Sequence, residues 1–421
     1  MNEESGQREL EIDFGQRVDW RPRRADGLER LRAFLPRAGR AYSKSRNFDL
    51  GPTDRSNVSA LSPLIRFRLV LEEEVLRETL RVHSLEAAEK FVEEVVWRGY
   101  FKGWLEHRPQ VWFGYLRERD ALIRRLADDA ALRADYENAI DGKTGIECFD
   151  AWARELVETG YLHNHARMWF ASIWIYTLEL PWPLGADFFL RHLLDGDPAS
   201  NTSSWRWVCG LHTPGKTYRA SAANIARFTR GRFRPDGDLA QIAPPLSESS
   251  IGDARPLAQA LTLRADERFA LLVTEEDCHP ESLELPSPPA AIFGWSATDY
   301  RSPLDVGEPA REFADGAVAD ALERCGEHFA IEPVHFPSET AAQMIAETMK
   351  AADLRNLVTA HVPVGPTSDS IRIPRGEWAE AGIRSIDLRR PYDSLLWPNA
   401  TRGFFALKKK IPELLAANGI V

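Results

Sequence analysis

The sequence has no long hydrophobic run and only a few cysteines. Among its 421 residues there is no stretch of about 18 consecutive apolar residues, which argues against a membrane-spanning helix. The first residues are acidic and polar, unlike a secretory or organellar signal, so we expect a cytoplasmic protein without membrane contact. The four cysteines lie 47 to 69 residues apart. Because this spacing fits neither a zinc site nor an iron–sulfur cluster, we expect reduced, buried thiols and no such cluster.

A net positive charge is also absent. The chain has 53 basic and 63 acidic residues, and most of the net charge of −10 falls after residue 240. This balance argues weakly against a nucleic-acid partner. The first part is close to neutral, however, and its clustered arginines leave room for a local basic face. They are Arg21, Arg23 and Arg24, then Arg219, Arg227, Arg230, Arg232 and Arg234.

Tryptophan usage divides the chain, since ten of its 13 tryptophans lie between Trp20 and Trp207. Apolar residues recur with helical spacing over most of 70–210, which predicts an all-helical part. The clearest predicted helices are 69–83, 85–100, 119–134, 147–160 and 163–180. A Pro-, Ser- and Gly-rich stretch over 236–262 predicts a linker.

Strand and helix patterns alternate after this stretch. Strands are predicted at 269–274, 357–362 and 383–388, and helices at 310–324, 340–352 and 403–417. Such alternation indicates a parallel α/β sheet of Rossmann-like type. The fold class expected is therefore a helical part followed by an α/β part.

Polar groups on the predicted helices have ordinary explanations as well as functional ones. Ser62 before Pro63 fits a helix N-cap, and it also fits a phosphate site at the start of a helix. Glu94, Trp97 and Arg98 could be a core tryptophan beside a surface ion pair. They could equally form an aromatic wall with an acid that accepts from an N–H group and an arginine that binds phosphate.

Asp195, Asp197 and Asn201 are open to three interpretations. They could cap a helix, hold a metal, or orient a polar heterocycle by accepting from its N–H groups. The remaining ligands and the spacing of a calcium loop are missing. His163 and His165 are two residues apart and therefore point away from each other on a helix, which disfavours a shared metal.

A series of motifs between residues 14 and 235 resembles the flavin-binding helical domain of the photolyase/cryptochrome family. The motifs are Tyr42-Ser-Lys-Ser-Arg-Asn47, Val58-Ser-Ala-Leu-Ser-Pro63, Glu94-Val-Val-Trp-Arg-Gly99, Gly142-Lys-Thr-Gly145, Asp150-Ala-Trp-Ala-Arg-Glu-Leu156, Gly160-Tyr-Leu-His-Asn-His-Ala-Arg-Met168, Leu194-Asp-Gly-Asp-Pro-Ala-Ser-Asn201 and Trp205-Arg-Trp207. Their order and spacing make the resemblance specific.

By position, the resemblance implies a set of contacts to FAD. The phosphates would be contacted by Tyr42, Ser59, Leu61, Ser62 and Arg98. Arg167 and Asp195 would flank the isoalloxazine, and Asp197 would meet its N–H and carbonyl edge. Asn201 would face flavin N5, where asparagine is the residue typical of repair enzymes and helps to hold the reduced cofactor, FADH⁻.

The resemblance also implies a pocket for a cyclobutane pyrimidine dimer flipped out of ultraviolet-damaged DNA. Its residues would be Glu94, Trp97, Asn164, Met168 and Trp207. Met168 stands where (6-4) photolyases have a histidine, which favours cyclobutane dimers. Stacking on each tryptophan contributes roughly 1–3 kcal/mol per base, comparable with the few kcal/mol that flipping costs. The implied activity is that of a deoxyribodipyrimidine photolyase, in which excited FADH⁻ gives the dimer an electron that returns after the ring splits.

Several departures from the family pattern support an alternative, a cryptochrome-like blue-light sensor that binds FAD without repair. Trp205 and Trp182 match two of the three tryptophans used in photoreduction, but Asp129 stands at the third position. Val58 replaces a threonine, and Gly99 replaces an acidic residue. The grounds for an antenna chromophore are weak, because part of its usual site is missing.

The order of the two parts is the largest departure. Photolyases begin with an α/β domain, whereas this chain has its helical domain at 14–235, the linker at 236–262 and the α/β domain at 263–421. Tyr392-Asp-Ser-Leu-Leu-Trp-Pro398 and Gly403-Phe-Phe-Ala-Leu407 resemble the end of that α/β domain. We therefore expect a permuted photolyase-type arrangement that acts as a monomer.

Overall fold

A computed structural model describes residues 18–421 except 236, 238, 249 and 337. The predicted domain start at residue 14 therefore lies outside the described residues. Helices make up the first part of the chain, and a parallel sheet flanked by helices makes up the second. Both halves of the predicted fold class are confirmed. No helix among the described residues is long and apolar enough to cross a membrane.

The helical part has no strand among the described residues 18–269. Its helices are α1 (Arg24–Phe34), α2 (Arg40–Ser45), α3 (Ser62–Arg66), α4 (Glu72–Val82), α5 (Leu85–Glu106), α6 (Pro109–Asp128), α7 (Ala130–Ile140), α8 (Glu147–Thr159), α9 (Asn164–Ser172), α10 (Trp182–His192), α11 (Pro198–Val208) and α12 (Ala222–Phe228). A π-helical turn, Ile173–Thr177, extends α9.

Side chains that cap helices explain where several of them begin. Ser84 accepts a hydrogen bond from the Ala87 N–H at 3.2 Å and begins α5. Asp129 accepts from the Leu132 N–H at 3.0 Å. This cap splits the predicted 119–134 helix into α6 and α7, so the single helix was wrong.

The α/β part contains five strands and six helices among the described residues. The strands are β1 (Ala270–Thr274), β2 (Ala291–Trp295), β3 (Val334–His335), β4 (Asn356–Ala360) and β5 (Arg384–Leu388). The helices are α13 (Glu308–Phe329), α14 (Ser338–Ala351), α15 (Pro366–Glu380), α16 (Pro391–Leu396), α17 (Phe404–Lys408) and α18 (Ile411–Ala417). The predicted 403–417 helix is divided into α17 and α18. Pro412 has no N–H group to donate within a continuous helix, but it is tolerated in the first turn of α18.

All the strands pair in parallel in the order β3-β2-β1-β4-β5. Alternate residues of β1 face opposite sides of the sheet. Leu271 and Val273 join the hydrophobic core that continues through the helical part. Ala270 and Leu272 join a second core with α14 and α15. The two parts of the chain therefore share one core.

Two glycines of α5 allow the α/β part to pack closely on this helix. A side chain at Gly99 would lie 2.4 Å from Leu396, and one at Gly103 would lie 2.8 Å from Trp397. The departure noted at Gly99 thus has a steric reason, since α16 occupies the space. This contact brings the end of the α/β part beside Trp97.

The predicted linker follows the protein surface instead of leaving it. Its described residues form no helix or strand. Glu248 pairs with Arg206 of α11, and the Arg255 N–H donates to the His107 carbonyl at 2.8 Å. The segment is therefore held against α5 and α11 on its way to β1.

Candidate functional site

Three packed helices carry most of the candidate residues. Helix α11 packs against both α5 and α9. Glu94, Trp97 and Arg98 lie on α5, Asn164, Arg167 and Met168 on α9, and Asn201, Trp205 and Trp207 on α11. Asp195 and Asp197 lie in the turn that leads into α11. The fold thus gathers motifs that are far apart in the sequence.

A buried ion pair joins α9 to this turn. The Arg167 guanidinium lies 3.0 Å from an Asp195 carboxylate oxygen, and Arg98 approaches the same carboxylate at 3.9 Å. Burial opposes ionisation of Asp195, but Arg167, Arg98 and a hydrogen bond from Ser62 outweigh it and lower the Asp195 pKa. Asp195 is therefore a buried carboxylate at neutral pH.

Asp197 has one oxygen engaged and one free. Its Oδ1 accepts from the Ser200 N–H at 2.7 Å and so caps α11, which confirms the capping interpretation for this residue. Its Oδ2 is buried, has no hydrogen-bond partner, and lies 3.8 Å from Lys102 Nζ and 4.0 Å from Arg98 Nη1. Burial opposes ionisation here too, but Lys102 and then Arg98 outweigh it and lower the Asp197 pKa.

These groups fit the polar edge of a flavin. Arg98 Nη1 and Lys102 Nζ, like Asp197 Oδ2, are buried and have no hydrogen-bond partner. Leaving such groups unpaired costs about 1–3 kcal/mol each, and more when they are charged. An edge that offers an N–H donor and carbonyl acceptors would pair with a carboxylate and two cations.

The loop before α3 supplies the candidate phosphate contacts. Ser59 Oγ accepts from the Leu61 N–H at 3.3 Å, and Leu61 is fully buried. Helix α3 begins at Ser62, so its N-cap residue is Leu61 and the prediction of Ser62 as the N-cap was wrong. Leu61 forms no side-chain capping hydrogen bond. Tyr42 of α2 is buried against Phe91, and burial raises its pKa far above the usual value.

The candidate dimer-binding residues of α5 have close partners. Glu94 forms an ion pair with Arg46, and burial raises the pKa of Glu94 despite this partner. Trp97 stacks on Phe404 of α17, with ring centroids 3.6 Å apart and planes inclined by 12°. One face of Trp97 is thus covered by the α/β part.

The other candidate pocket residues are more accessible. Asn164 is the first residue of α9 and is exposed, while Met168 is half-buried. Trp207 is half-buried and stacks on Tyr218 with centroids 5.6 Å apart. Among the described residues no hydrogen bond or ring contact joins Glu94 to Asn164 or Trp97 to Trp207, and their partners are Arg46, Phe404 and Tyr218 instead.

A basic segment borders α9. Residues 213–235 include six basic residues and no acidic one. His165 of α9 contacts Tyr218 and Phe228 of this segment, at 3.3 Å and at a ring separation of 5.1 Å. Lys216, Arg219, Arg227, Arg230, Arg232 and Arg234 are all exposed there.

Asn201 and the candidate electron carriers lie in the core. The Asn201 amide donates to the Ala186 carbonyl at 2.7 Å. Trp205 is buried, edge-on to Trp174 at 6.2 Å, and Trp182 lies 5.7 Å from Tyr115. Asp129, which the family resemblance matches to the third tryptophan, caps α7.

The metal interpretations find no support. Among the described residues no cluster of three His, Cys, Asp or Glu side chains could hold a metal ion. His163 Nδ1 accepts from the His165 N–H at 3.1 Å and caps α9, while its Nε2 lies 3.0 Å from the Arg46 carbonyl. All four cysteines are buried and unpaired.

Sequence reasoning missed four residues that contact the candidate site. Lys102 follows Arg98 by one helical turn, a spacing that could have drawn attention to it. Arg66, Glu276 and Phe404 meet the site only through tertiary packing, so no local pattern indicates them.

The helical part of the chain is similar to known proteins. Residues 91–239 match a family model described as the FAD binding domain of DNA photolyase. A deoxyribodipyrimidine photo-lyase of Thermus thermophilus is 35% identical over 191 residues, which is 45% of this chain and 43% of that protein. One from Synechococcus is 29% identical over 209 residues, 48% of this chain and 41% of that protein. The chain thus spans about two fifths of the length of these curated relatives.

Among solved structures, a Synechocystis cryptochrome aligns with a TM-score of 0.43 at 20% identity, over 52% of this chain and 45% of that one. A class III photolyase from Agrobacterium tumefaciens gives a TM-score of 0.38 at 26% identity, over 49% and 42%. The matched family model covers α9, α11 and most of α5, the helices on which the charged cluster is built. Over residues 91–239 the chain is therefore similar to the FAD binding domain of DNA photolyase.

Proposed function

We propose that this protein repairs cyclobutane pyrimidine dimers in ultraviolet-damaged DNA by a light-driven reaction. The observation that carries the proposal is the position of α9. One side of this helix holds Arg167 against the buried Asp195, and the other side meets the basic segment 213–235 through His165. A helix that links a flavin-type cluster to a surface suited to a polyanion is what such a reaction needs.

Residues of the helical part would hold the cofactor. Arg167 and Asp195 would flank the flavin ring, Asp197 would accept from its N–H edge, and Asn201 would face N5. The phosphates would lie against Tyr42, Ser59, Leu61, Ser62 and Arg98. Bound in its reduced form, FAD would supply the electron that splits the dimer on illumination. Trp205 and Trp182 would carry electrons to it during photoreduction.

Other residues would receive the flipped dimer. Trp97 and Trp207 offer apolar surfaces, and each stacked base gains roughly 1–3 kcal/mol. Glu94 and Asn164 would form hydrogen bonds with the pyrimidine edges, and Met168 would pack against the rings. The raised pKa of Glu94 supports a role as a donor or acceptor to a neutral base.

The basic segment supplies a contact to DNA that overall charge does not. Its exposed side chains Arg227 and Arg230 could each neutralise a phosphate. Phosphate contacts position a duplex without reading its sequence, which suits recognition of a lesion in any context.

A light sensor that binds FAD without repair is the second candidate. The stack of Phe404 on Trp97 favours it, because one face of a candidate pocket wall is already covered. The absence of an aromatic residue at Asp129 favours it as well.

We also propose that the two domains follow in the reverse of the usual photolyase order, with a helical domain at 14–235, a linker at 236–262 and an α/β domain at 263–421. The sheet order β3-β2-β1-β4-β5 and the close contact of α16 with α5 support this arrangement.

The test is blue-light repair of an oligonucleotide with one cyclobutane dimer, followed by recovery of intact thymines. FAD-loaded, reduced wild-type protein should restore the thymines in light and not in darkness. A Glu94→Ala, Trp97→Ala double variant that retains FAD should not. Retained FAD without repair by the wild-type protein would support the sensor instead.

A further inference from the structure

Lys102 is a buried lysine that none of the proposed functions uses. Its side chain is 2% exposed, and its Nζ has no hydrogen-bond partner. The amine lies 3.8 Å from Asp197 Oδ2 and 3.9 Å from Glu276 Oε2. A lysine is seldom buried in this way without a partner, because desolvation of its charge is costly.

Glu276 does not need Lys102 for neutralisation. Arg66 donates to both of its carboxylate oxygens, at 2.8 and 3.0 Å, and the Thr367 hydroxyl donates to Oε1 at 2.9 Å. The Glu276 carboxylate is thus satisfied by the bidentate pair with Arg66. The ammonium group of Lys102 is therefore available to interact with Asp197 and with a ligand bound beside Asp197.

Asp197 in turn is shared between two cations. Arg98 and Lys102 both lie within 4.0 Å of the same oxygen, and neither forms a hydrogen bond with it. Arg98 also approaches Asp195, which Arg167 already pairs at 3.0 Å. More positive charge than negative therefore surrounds the candidate flavin edge.

The whole connected network has the same imbalance. Nine charged side chains are joined by nitrogen–oxygen distances of 4.0 Å or less, and five of them are cations. They are Arg167, Asp195, Arg98, Asp197, Lys102, Glu276, Arg66, Glu275 and Arg301. A buried network with one excess positive charge is stabilised by an anion bound against it.

We propose that Lys102 is a positioning residue that favours the reduced, anionic state of the bound flavin, by keeping Asp197 in place and by placing a positive charge beside it. The inference rests on the proposed function, since it takes FAD to be the ligand. Charge placed near the flavin ring is one of the means by which a protein adjusts the cofactor's reduction potential. The isoalloxazine ring is neutral when oxidised and anionic in FADH⁻, so a positive charge beside the ring stabilises the reduced form more than the oxidised form.

The test is the midpoint potential of FAD in the purified, FAD-loaded protein, measured by spectroscopic titration without DNA. In Lys102→Met the ratio of reduced to oxidised FAD at a fixed potential should fall about tenfold, which is ~30 mV for a two-electron couple. Lys102→Arg should restore the wild-type potential, because it retains the charge. Lys143→Met is the control. Lys143 is exposed and pairs with Asp141, so this variant should have the wild-type midpoint potential.

A second variant tests the sign. Glu276→Gln removes a negative charge beside Lys102 at constant size, so the potential should move in the opposite direction, toward easier reduction. This variant decides the matter if Lys102→Met does not fold. A Lys102→Met potential equal to that of the wild type, or equal shifts in the Met and Arg variants, would overturn the inference. Wild-type protein that takes up no FAD would instead overturn the proposed function, and the inference with it.

Discussion

Phe404 from the α/β part lies flat on Trp97 from the helical part, with ring centroids 3.6 Å apart. The contact depends on Gly99 and Gly103, which let the segment before α17 approach α5. Residues from both parts of the chain therefore meet at a wall of the candidate dimer pocket. The α/β part thus contributes Phe404 to the packing of Trp97.

Removal of the Phe404 ring should destabilise the protein. Phe404 is 3% exposed, and Phe→Ala in a core typically costs about 3–5 kcal/mol. Its neighbour Phe405 is 76% exposed, so Phe405→Ala should change the free energy of unfolding by less than about 0.5 kcal/mol. Denaturant unfolding measures both values. Equal stability of the two variants would show that the stack on Trp97 contributes nothing.

Asp195→Asn should weaken FAD binding. The substitution leaves Arg167 and Arg98 without their shared carboxylate, and loss of one partner of a buried ion pair costs about 2 kcal/mol or more, roughly thirtyfold in Kd. FAD affinity is measured by fluorescence titration. Asp141→Asn is the matched control, because Asp141 is exposed and pairs with the exposed Lys143. An Asp195→Asn affinity equal to the control's would remove this pair from the flavin site.

Arg227→Ala with Arg230→Ala should weaken DNA binding without affecting FAD content. Each lost phosphate contact should reduce the slope of log K against log salt by about 0.7–0.9. Binding to a dimer-containing oligonucleotide over a range of salt concentrations gives the slope. Arg264→Ala, which removes an exposed arginine paired with Asp266, should leave it unchanged. An unaltered slope in the double variant would place the DNA surface elsewhere.

His163 should make stability depend on pH. Burial lowers its pKa from 6.5 to about 3, so between these values the unfolded state binds more protons than the native state. Its contribution is complete above pH 6.5 and is lost as pH falls toward 3, at about 1.4 kcal/mol per pH unit. His163→Asn, which keeps an N-cap for α9, should reduce the slope of unfolding free energy against pH by about 1.4 kcal/mol per pH unit in this range. Replacement of the exposed His335 should leave the dependence of unfolding free energy on pH unchanged. If the His163 variant shows the same dependence on pH as the wild type, the lowered pKa of His163 is contradicted.

Patterns of apolar residues predicted much of the fold, because the spacing of buried side chains within one helix or strand is set by the geometry of that element. The apolar run over 269–274 became β1, and helical spacing over 85–100 became α5. Strand β2 was missed because a Pro-rich stretch precedes it and Gly294 interrupts it. Helix α15 was missed because Pro374 lies inside it, where tertiary packing around Trp378 outweighs the proline penalty.

The candidate site was predictable where motifs carried it and not elsewhere. The turn with Asp195 and Asp197 was recognisable from its sequence, and the family pattern grouped Asp195 with Arg167. The same pattern assigned Arg98 to the FAD phosphates, so its approach to Asp195 and Asp197 was not predicted. Glu276 and Phe404 are remote in the chain, and only the packing of the α/β part on α5 brings them to Lys102 and Trp97. Contacts that depend on the relative placement of two domains leave no periodic trace in either one.

The most direct test of the central claim offers two lesions in one sample. Reduced, FAD-loaded wild-type protein is illuminated with blue light in a mixture of one oligonucleotide with a cyclobutane dimer and another with a (6-4) photoproduct. The account predicts that thymines reappear from the cyclobutane dimer alone and only in light. Repair of the (6-4) photoproduct alone, or of neither lesion while the flavin still responds to light, would contradict it.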